Sequence, residues 1–242
     1  IVEFQNIYDG VDLGLNFNNK GILSKPFIFG ITPTFSTRSR ALTGSVQLQY
    51  TNFFEDQNLY NIKYGVSVSR SSFAKNAFVT KTVPYLSFNF RNASDLRSNA
   101  IKKLNIRYVG IEKDFTTPES SESSGPPYQI FNIRYLNSYN GFKKYHNLFL
   151  DAQFSDQFGK LSLNYEIRRR SNKNQFYNVR LYAGAFLYSK MPKGEQNFDF
   201  ALDRPTDYLF DYNYLGQFES TGIFSQQLII AEGGFKSKLD TA

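Results

Sequence analysis

The chain has no cysteine and no tryptophan, one methionine and one histidine, His146. Without thiols there is no disulfide scaffold, no thiol nucleophile and no cysteine-ligated metal. No stretch approaches the roughly 18 apolar residues of a membrane-spanning helix, and the mean hydropathy is −0.43. A helical membrane protein is therefore excluded, whereas a membrane β-barrel, which alternates apolar and polar residues, is not. Helix-period apolar stripes with caps are missing too. The chain opens Ile1-Val2-Glu3-Phe4 with no basic-then-apolar leader, so any targeting signal has been removed or lies upstream.

What is present is aromatic and basic. The 242 residues include 25 Phe and 17 Tyr, and 41% are hydrophobic, too many for a disordered polymer. Lys and Arg number 28 against 21 Asp and Glu, a formal charge of +7. That balance suits an anionic partner such as nucleic acid or lipopolysaccharide, and charge alone does not choose between them.

The dominant signal has a period of two. In Lys160–Arg168 the odd positions Leu161, Leu163, Tyr165 and Ile167 are apolar and the even ones polar, the pattern of a strand with one apolar face. Val11–Asn18, Leu42–Thr51, Tyr60–Ser69 and His146–Ser155 repeat it. Weaker versions fall at Phe27–Ser36, Val83–Phe90, Leu104–Ile111, Gln129–Leu136, Tyr177–Tyr188, Asp207–Leu215 and Ser225–Ala231. Twelve strands are expected, joined by turns such as Thr37-Arg38-Ser39-Arg40, Lys75-Asn76 and Ser155–Gly159, so successive strands should be antiparallel neighbours. Two longer connections stand out. Thr116–Pro127 reads as exposed and mobile, and Met191–Thr206 as a segment folded over a barrel mouth.

A four-residue echo recurs at irregular spacing: Asn61-Ile62-Lys63-Tyr64, Asn105-Ile106-Arg107-Tyr108, Asn132-Ile133-Arg134-Tyr135 and Asn178-Val179-Arg180-Leu181. It is either a repeated hairpin layout or ordinary strand composition, and its spacing argues against a propeller or solenoid.

Periodicity does not say whether the apolar face meets a core or lipid. Three features favour lipid: segments of about 9–11 residues, large polar groups in mid-strand (Lys63, Arg107, Arg134, Asp151, Glu166, Arg168, Arg180), and Tyr and Phe at strand ends such as Tyr50–Phe54, Tyr139–Phe142 and Tyr208–Tyr214, as in interfacial girdles. The expected fold is all-β: one antiparallel up-and-down transmembrane barrel domain over residues 1–242, in a bacterial outer membrane, in contact with its lipid and lipopolysaccharide.

Two stretches carry a resemblance: Phe200 to Gln217 (FALDRPTDYLFDYNYLGQ) and Ala231 to Lys238 (AEGGFKSK). They resemble the C-terminal barrel region of Bacteroidota outer-membrane proteins, some of them aminopeptidase-N-like (gluzincin) metallopeptidases. The resemblance implies that a periplasmic or surface peptidase domain precedes the barrel and that further strands follow it. The last residues, Lys238–Ala242, read as a turn rather than a closing strand, so a segment of a longer polypeptide is expected. A gluzincin site needs two His one helical turn apart with a Glu between them. One His cannot make it, so no peptidase residue carries over.

Other chemical motifs dissolve on inspection. Gly159-Lys160-Leu161-Ser162 lacks the first glycine of a phosphate-binding loop and precedes a strand. Ser72-Phe73-Ala74-Lys75 has Ser-x-x-Lys spacing, but that chemistry needs a helical turn. The carboxylate pairs Asp207 with Asp211 and Asp151 with Glu166 lie among cations, as in salt bridges. His146 enters a strand beside Tyr145, in a loop or interfacial position. Arg168-Arg169-Arg170 with Lys173 is a solvated basic loop or a contact, through charge, for lipopolysaccharide phosphates or nucleic acid. The best functional surface is the set Lys63, Arg107, Arg134, Arg168 and Arg180, expected to line a lumen. There they would either favour anions in an open pore or pair with Asp12, Asp151, Glu166 and Asp211 in a plugged scaffold, the favoured version. No catalytic residue, metal, cofactor or nucleic-acid partner is expected. The leading expectation is a non-catalytic barrel that anchors an attached domain. An anion-biased pore and a soluble β-barrel binding an apolar ligand are the alternatives.

Overall fold

A computed structural model describes residues 2–4, 8–21, 23, 25–55, 58–74, 77–91, 98–115, 127–171, 175–190, 214–215 and 228–229. All regular structure in it is β. The strands are β1 (Val2–Phe4), β2 (Val11–Gly14), β3 (Phe17–Asn18), β4 (Phe27–Ser36), β5 (Leu42–Phe53), β6 (Leu59–Ala74), β7 (Ala77–Phe90), β8 (Ala100–Phe115), β9 (Tyr128–Asn140), β10 (Lys144–Phe154), β11 (Phe158–Arg170) and β12 (Phe176–Ser189). They form one antiparallel up-and-down sheet in which β1, β2 and β4 to β12 follow in chain order, and β3 pairs β4 beside β2. Among the described residues no pairing joins β1 to β12, so the sheet is open and β12 is a 14-residue edge.

Ten of the twelve expected strands coincide with these elements. Asp207–Leu215 and Ser225–Ala231 lie outside the described residues except for β13 (Tyr214–Leu215) and β14 (Leu228–Ile229), which pair antiparallel. The long connections lie outside them as well, apart from Pro127. Val11–Asn18 is two short strands rather than one. Opposite the break stands Pro33, which has no N–H to donate to a ladder; there Leu15 N–H donates to the Pro33 carbonyl at 3.2 Å.

Register places every second side chain on a common face across the sheet. Asp12, Ser36, Thr43, Asn61, Ser87, Asn132, Asp151 and Gln153 lie on one face and are buried. On the other face Phe27, Ile31, Phe35, Leu48, Tyr64, Leu150, Leu161 and Leu181 are exposed, Leu181 at 58%. No second layer of regular structure covers the polar face among the described residues. The usual arrangement of a water-soluble protein is inverted.

The polar face is not polar to its end. Val79, Val83, Val109, Ile111, Ile130 and Phe158 form a small buried cluster on it, with Tyr128 packed alongside, toward the end of the sheet where β6 gives way to β7 and β10 to β11. This is the first end of the sheet; the β5–β6, β9–β10 and β11–β12 connections mark the second. At the first end Asp9 is wholly buried and accepts bonds from Ser39 Oγ at 2.8 Å, from the Ser72 N–H at 3.0 Å and from Ser72 Oγ. The N-terminal segment is thereby fastened to β6 across two intervening strands.

Candidate functional site: the polar face of the sheet

All five cations singled out from the sequence lie on this polar face, each on a different strand, and Arg168 shares β11 with Glu166. Antiparallel register gives the Asn-x-basic echo a structural meaning. On β8 and β9, Asn105 stands opposite Arg134, and Arg107 opposite Asn132. Each amide therefore faces a guanidinium on the neighbouring strand, an arrangement that one copy of the echo cannot make alone.

Asp151 gathers the result. It is buried, its side chain 5% exposed, and it accepts from Arg134 Nε at 2.9 Å, from Asn132 Nδ2 at 2.8 Å and from Gln153 Nε2. Asn132 Oδ1 in turn accepts from Arg107 Nε at 2.7 Å. Three strands are joined by a charge-assisted network in which both guanidiniums have an acceptor. Lys160, opposite Gln153, is buried, with its ammonium 5.4 Å from the Phe158 ring centroid. Asn132, Gln153 and Lys160 were not singled out from the sequence. Asn132 was visible as a member of the echo, but nothing local marks it as the bridge.

The remaining cations are held differently. Arg180 Nε donates to Asn164 Oδ1 at 2.8 Å and stands opposite Glu166 in register. Lys63 lies between Thr51 and Ser87. Arg168 is exposed, with its guanidinium 5.1 Å from the Tyr145 ring centroid and 6.0 Å from that of Phe176. Of the expected acidic partners, Asp151 takes a cation, Asp12 accepts from the Thr43 hydroxyl at 3.2 Å, and Asp211 lies outside the described residues. The pairing is thus partly ionic and largely through neutral amides and hydroxyls.

Further along the face, Thr43 Oγ1 lies 2.8 Å from Thr34 Oγ1 and 2.9 Å from Ser36 Oγ, and Asn89 Nδ2 donates to Asn61 Oδ1 at 2.6 Å. Tyr85 OH crosses β6 at Gly65 to donate to Gln49 Oε1 at 2.8 Å. A Cβ on residue 65 would lie 3.0 Å from that hydroxyl and 2.2 Å from the Leu48 carbonyl oxygen, so the crossing requires glycine. His146 stacks on Tyr139, centroids 6.1 Å apart, on the apolar face. Among the described residues no three His, Asp or Glu side chains cluster as a metal site would need.

Compared with protein-family models, curated proteins and solved structures, the chain matches none. The stretches behind the peptidase-barrel resemblance, 200–217 and 231–238, lie outside the described residues except for Tyr214 and Leu215.

Proposed function

We propose that the chain forms the wall of an outer-membrane β-barrel that works as a non-catalytic anchor, turning its apolar face to lipid and holding an attached domain. One observation carries the reading: large hydrophobic side chains sit on the exposed face of the sheet while Asp12, Asn61, Asn132, Asp151 and Gln153 are buried on the other. Lipid is the solvent that makes such a surface favourable, and a wet interior the one that tolerates the polar face. A soluble barrel holding an apolar ligand needs the opposite facing. A scaffold role is supported by the network around Asp151, which engages two of the five cations with fixed acceptors, and by the apolar cluster at the first end. The resemblance of 200–217 and 231–238 to gluzincin-associated barrels supports a zinc peptidase as the attached domain, its metal site outside this chain. An anion-biased pore is the second reading. It is favoured by Lys63 and Arg168, which have no hydrogen-bonded acceptor among the described residues, and ion-selective conductance in planar bilayers would establish it.

Because the chain has no Trp, a single one reports without background. Val66 lies on the apolar face, between Leu48 and Pro84, and Ser67 on the polar face. In bilayers containing brominated lipid, Val66→Trp fluorescence should be strongly quenched and Ser67→Trp little affected. Equal quenching, or failure of the protein to enter bilayers, would overturn the membrane reading.

A further inference from the structure

The second end of the sheet, from β8 to β12, carries Lys102, Lys103, Lys143, Lys144, Arg168, Arg169 and Arg170, against one carboxylate, Glu166, among the described residues of these strand ends. We propose that this end is a binding site for the phosphate of an anionic lipid headgroup, with Arg168 as its central donor; the proposal rests on the membrane reading above.

The geometry around Arg168 is that of a site built before its ligand arrives. The Arg168 guanidinium lies 5.1 Å from the Tyr145 ring centroid and 6.0 Å from that of Phe176, neighbours that attract the cation without supplying an anion. The N–H groups of Arg168 have no acceptor among the described residues. They border an open depression of about 350 Å³ lined by Asn140, Gly141, Phe142, Arg168 and Phe176. Arg170 lies 4.7 Å from the Phe142 ring centroid on its wall. Glu166 is one alternation deeper on the same face, opposite Asn147 and Arg180, and repels an anion that passes beyond Arg168.

The apolar face at the same level adds an unbalanced charge. Lys144 stands directly opposite Arg169, and like charges so placed repel; both are exposed, and among the described residues no acid pairs with either in the register. An anion offsets that repulsion. A membrane lipid supplies one where it is needed. Tyr139, His146 and Tyr177 occupy the same strand ends on the apolar face, and the apolar belt begins at once with Leu148, Ile167 and Val179. Arg168 and Arg169, which stands opposite Lys144, lie on opposite faces within two residues of the β11 end at Arg170. The phosphate is therefore placed on the rim, where a headgroup leaves its acyl chains along that belt and a free phosphate would gain nothing from it.

Native mass spectrometry of the detergent-folded full chain, titrated with phosphatidic acid, phosphatidylcholine and inorganic phosphate, tests the site. Phosphatidic acid adducts should appear at about tenfold lower concentration than phosphatidylcholine adducts, as expected for a few cations near a lipid surface. Arg168→Gln should abolish the preference, and so should the exposed pair Lys144→Gln with Arg169→Gln, which spares the depression; Arg38→Gln at the first end should leave it intact. Equal adduct formation by the two lipids, or an unchanged preference in Arg168→Gln and in the pair, overturns the site. Inorganic phosphate binding as tightly as phosphatidic acid overturns its assignment to lipid. A chain that inserts into bilayers by the tryptophan measurement and yet shows no preference refutes this site alone. One that does not insert refutes the membrane reading with it.

Discussion

At the scale of single residues the polar face owes its order to reciprocity. Asp151 alone would be a costly buried charge; with Arg134, Asn132 and Gln153 donating to it, each donor also gains an acceptor. The cost of disturbing it is therefore asymmetric. Asp151→Asn removes the charge that three donors share and leaves Arg134 without its ion pair, at an expected cost of about 3 kcal/mol. Arg134→Gln in the same background removes the stranded cation, and the double variant should lose less than the sum of the single losses by at least about 1 kcal/mol. Urea unfolding of the detergent-folded protein, run as a double-mutant cycle, measures both. Additive losses would mean that Asp151 is held by its amide neighbours and that the ion pair is incidental.

At the scale of elements, local backbone geometry decides where strands start, turn and break. Gly44 pairs with Pro33 at φ 122°, and a Cβ there would lie 2.0 Å from the Thr32 carbonyl oxygen. Gly44→Ala should cost about 2 kcal/mol or more. Four residues earlier, in the β4–β5 turn, Arg40 holds a left-handed φ of 53° while its N–H donates to the Ser36 carbonyl. Arg40→Gly should therefore stabilise, by about 1 kcal/mol, and opposite shifts of the two unfolding midpoints check the pair. The same geometry explains what was legible in the sequence. Phe27–Ser36 matches β4 residue for residue because its odd positions are apolar throughout. Leu104–Ile111 is the middle of β8, which runs from Ala100 to Phe115; its ends carry Lys102, Glu112 and Asp114 on the face that is apolar in mid-strand, so the alternation fades before the hydrogen bonding does. Ala77–Thr82 of β7 was missed because Val79 joins the apolar cluster on the polar face, which erases the contrast between the two faces. Period alone put the five cations on one face, and the register keeps them on one face of the sheet. Their partners were not legible, since Arg107 with Asn132 and Arg180 with Asn164 are matters of register between strands.

At the scale of the whole molecule the open question is the edge. A strand donates alternate N–H groups to its two sides, so β12 directs half of its amides to β11 and half away from the described sheet. Both of its faces are exposed along nearly its whole length. An edge of 14 residues could persist in water if blunted by charge, but β12 carries Val179, Leu181, Ala183 and Ala185 toward the apolar side, and its one charged residue is Arg180. In hydrocarbon each unpaired N–H or carbonyl costs several kcal/mol. The membrane reading thus requires a partner along β12, and Tyr208, Phe210, Tyr212 and Tyr214, with the period of an outward aromatic face, mark the next segment of the chain as the candidate. Hydrogen exchange of the detergent-folded protein separates the two cases amide by amide. A closed wall should protect every amide from Val179 to Leu187, whichever side it faces. Protection of every second amide alone would mean that β12 is a true edge, and a sheet with such an edge does not stand in a bilayer.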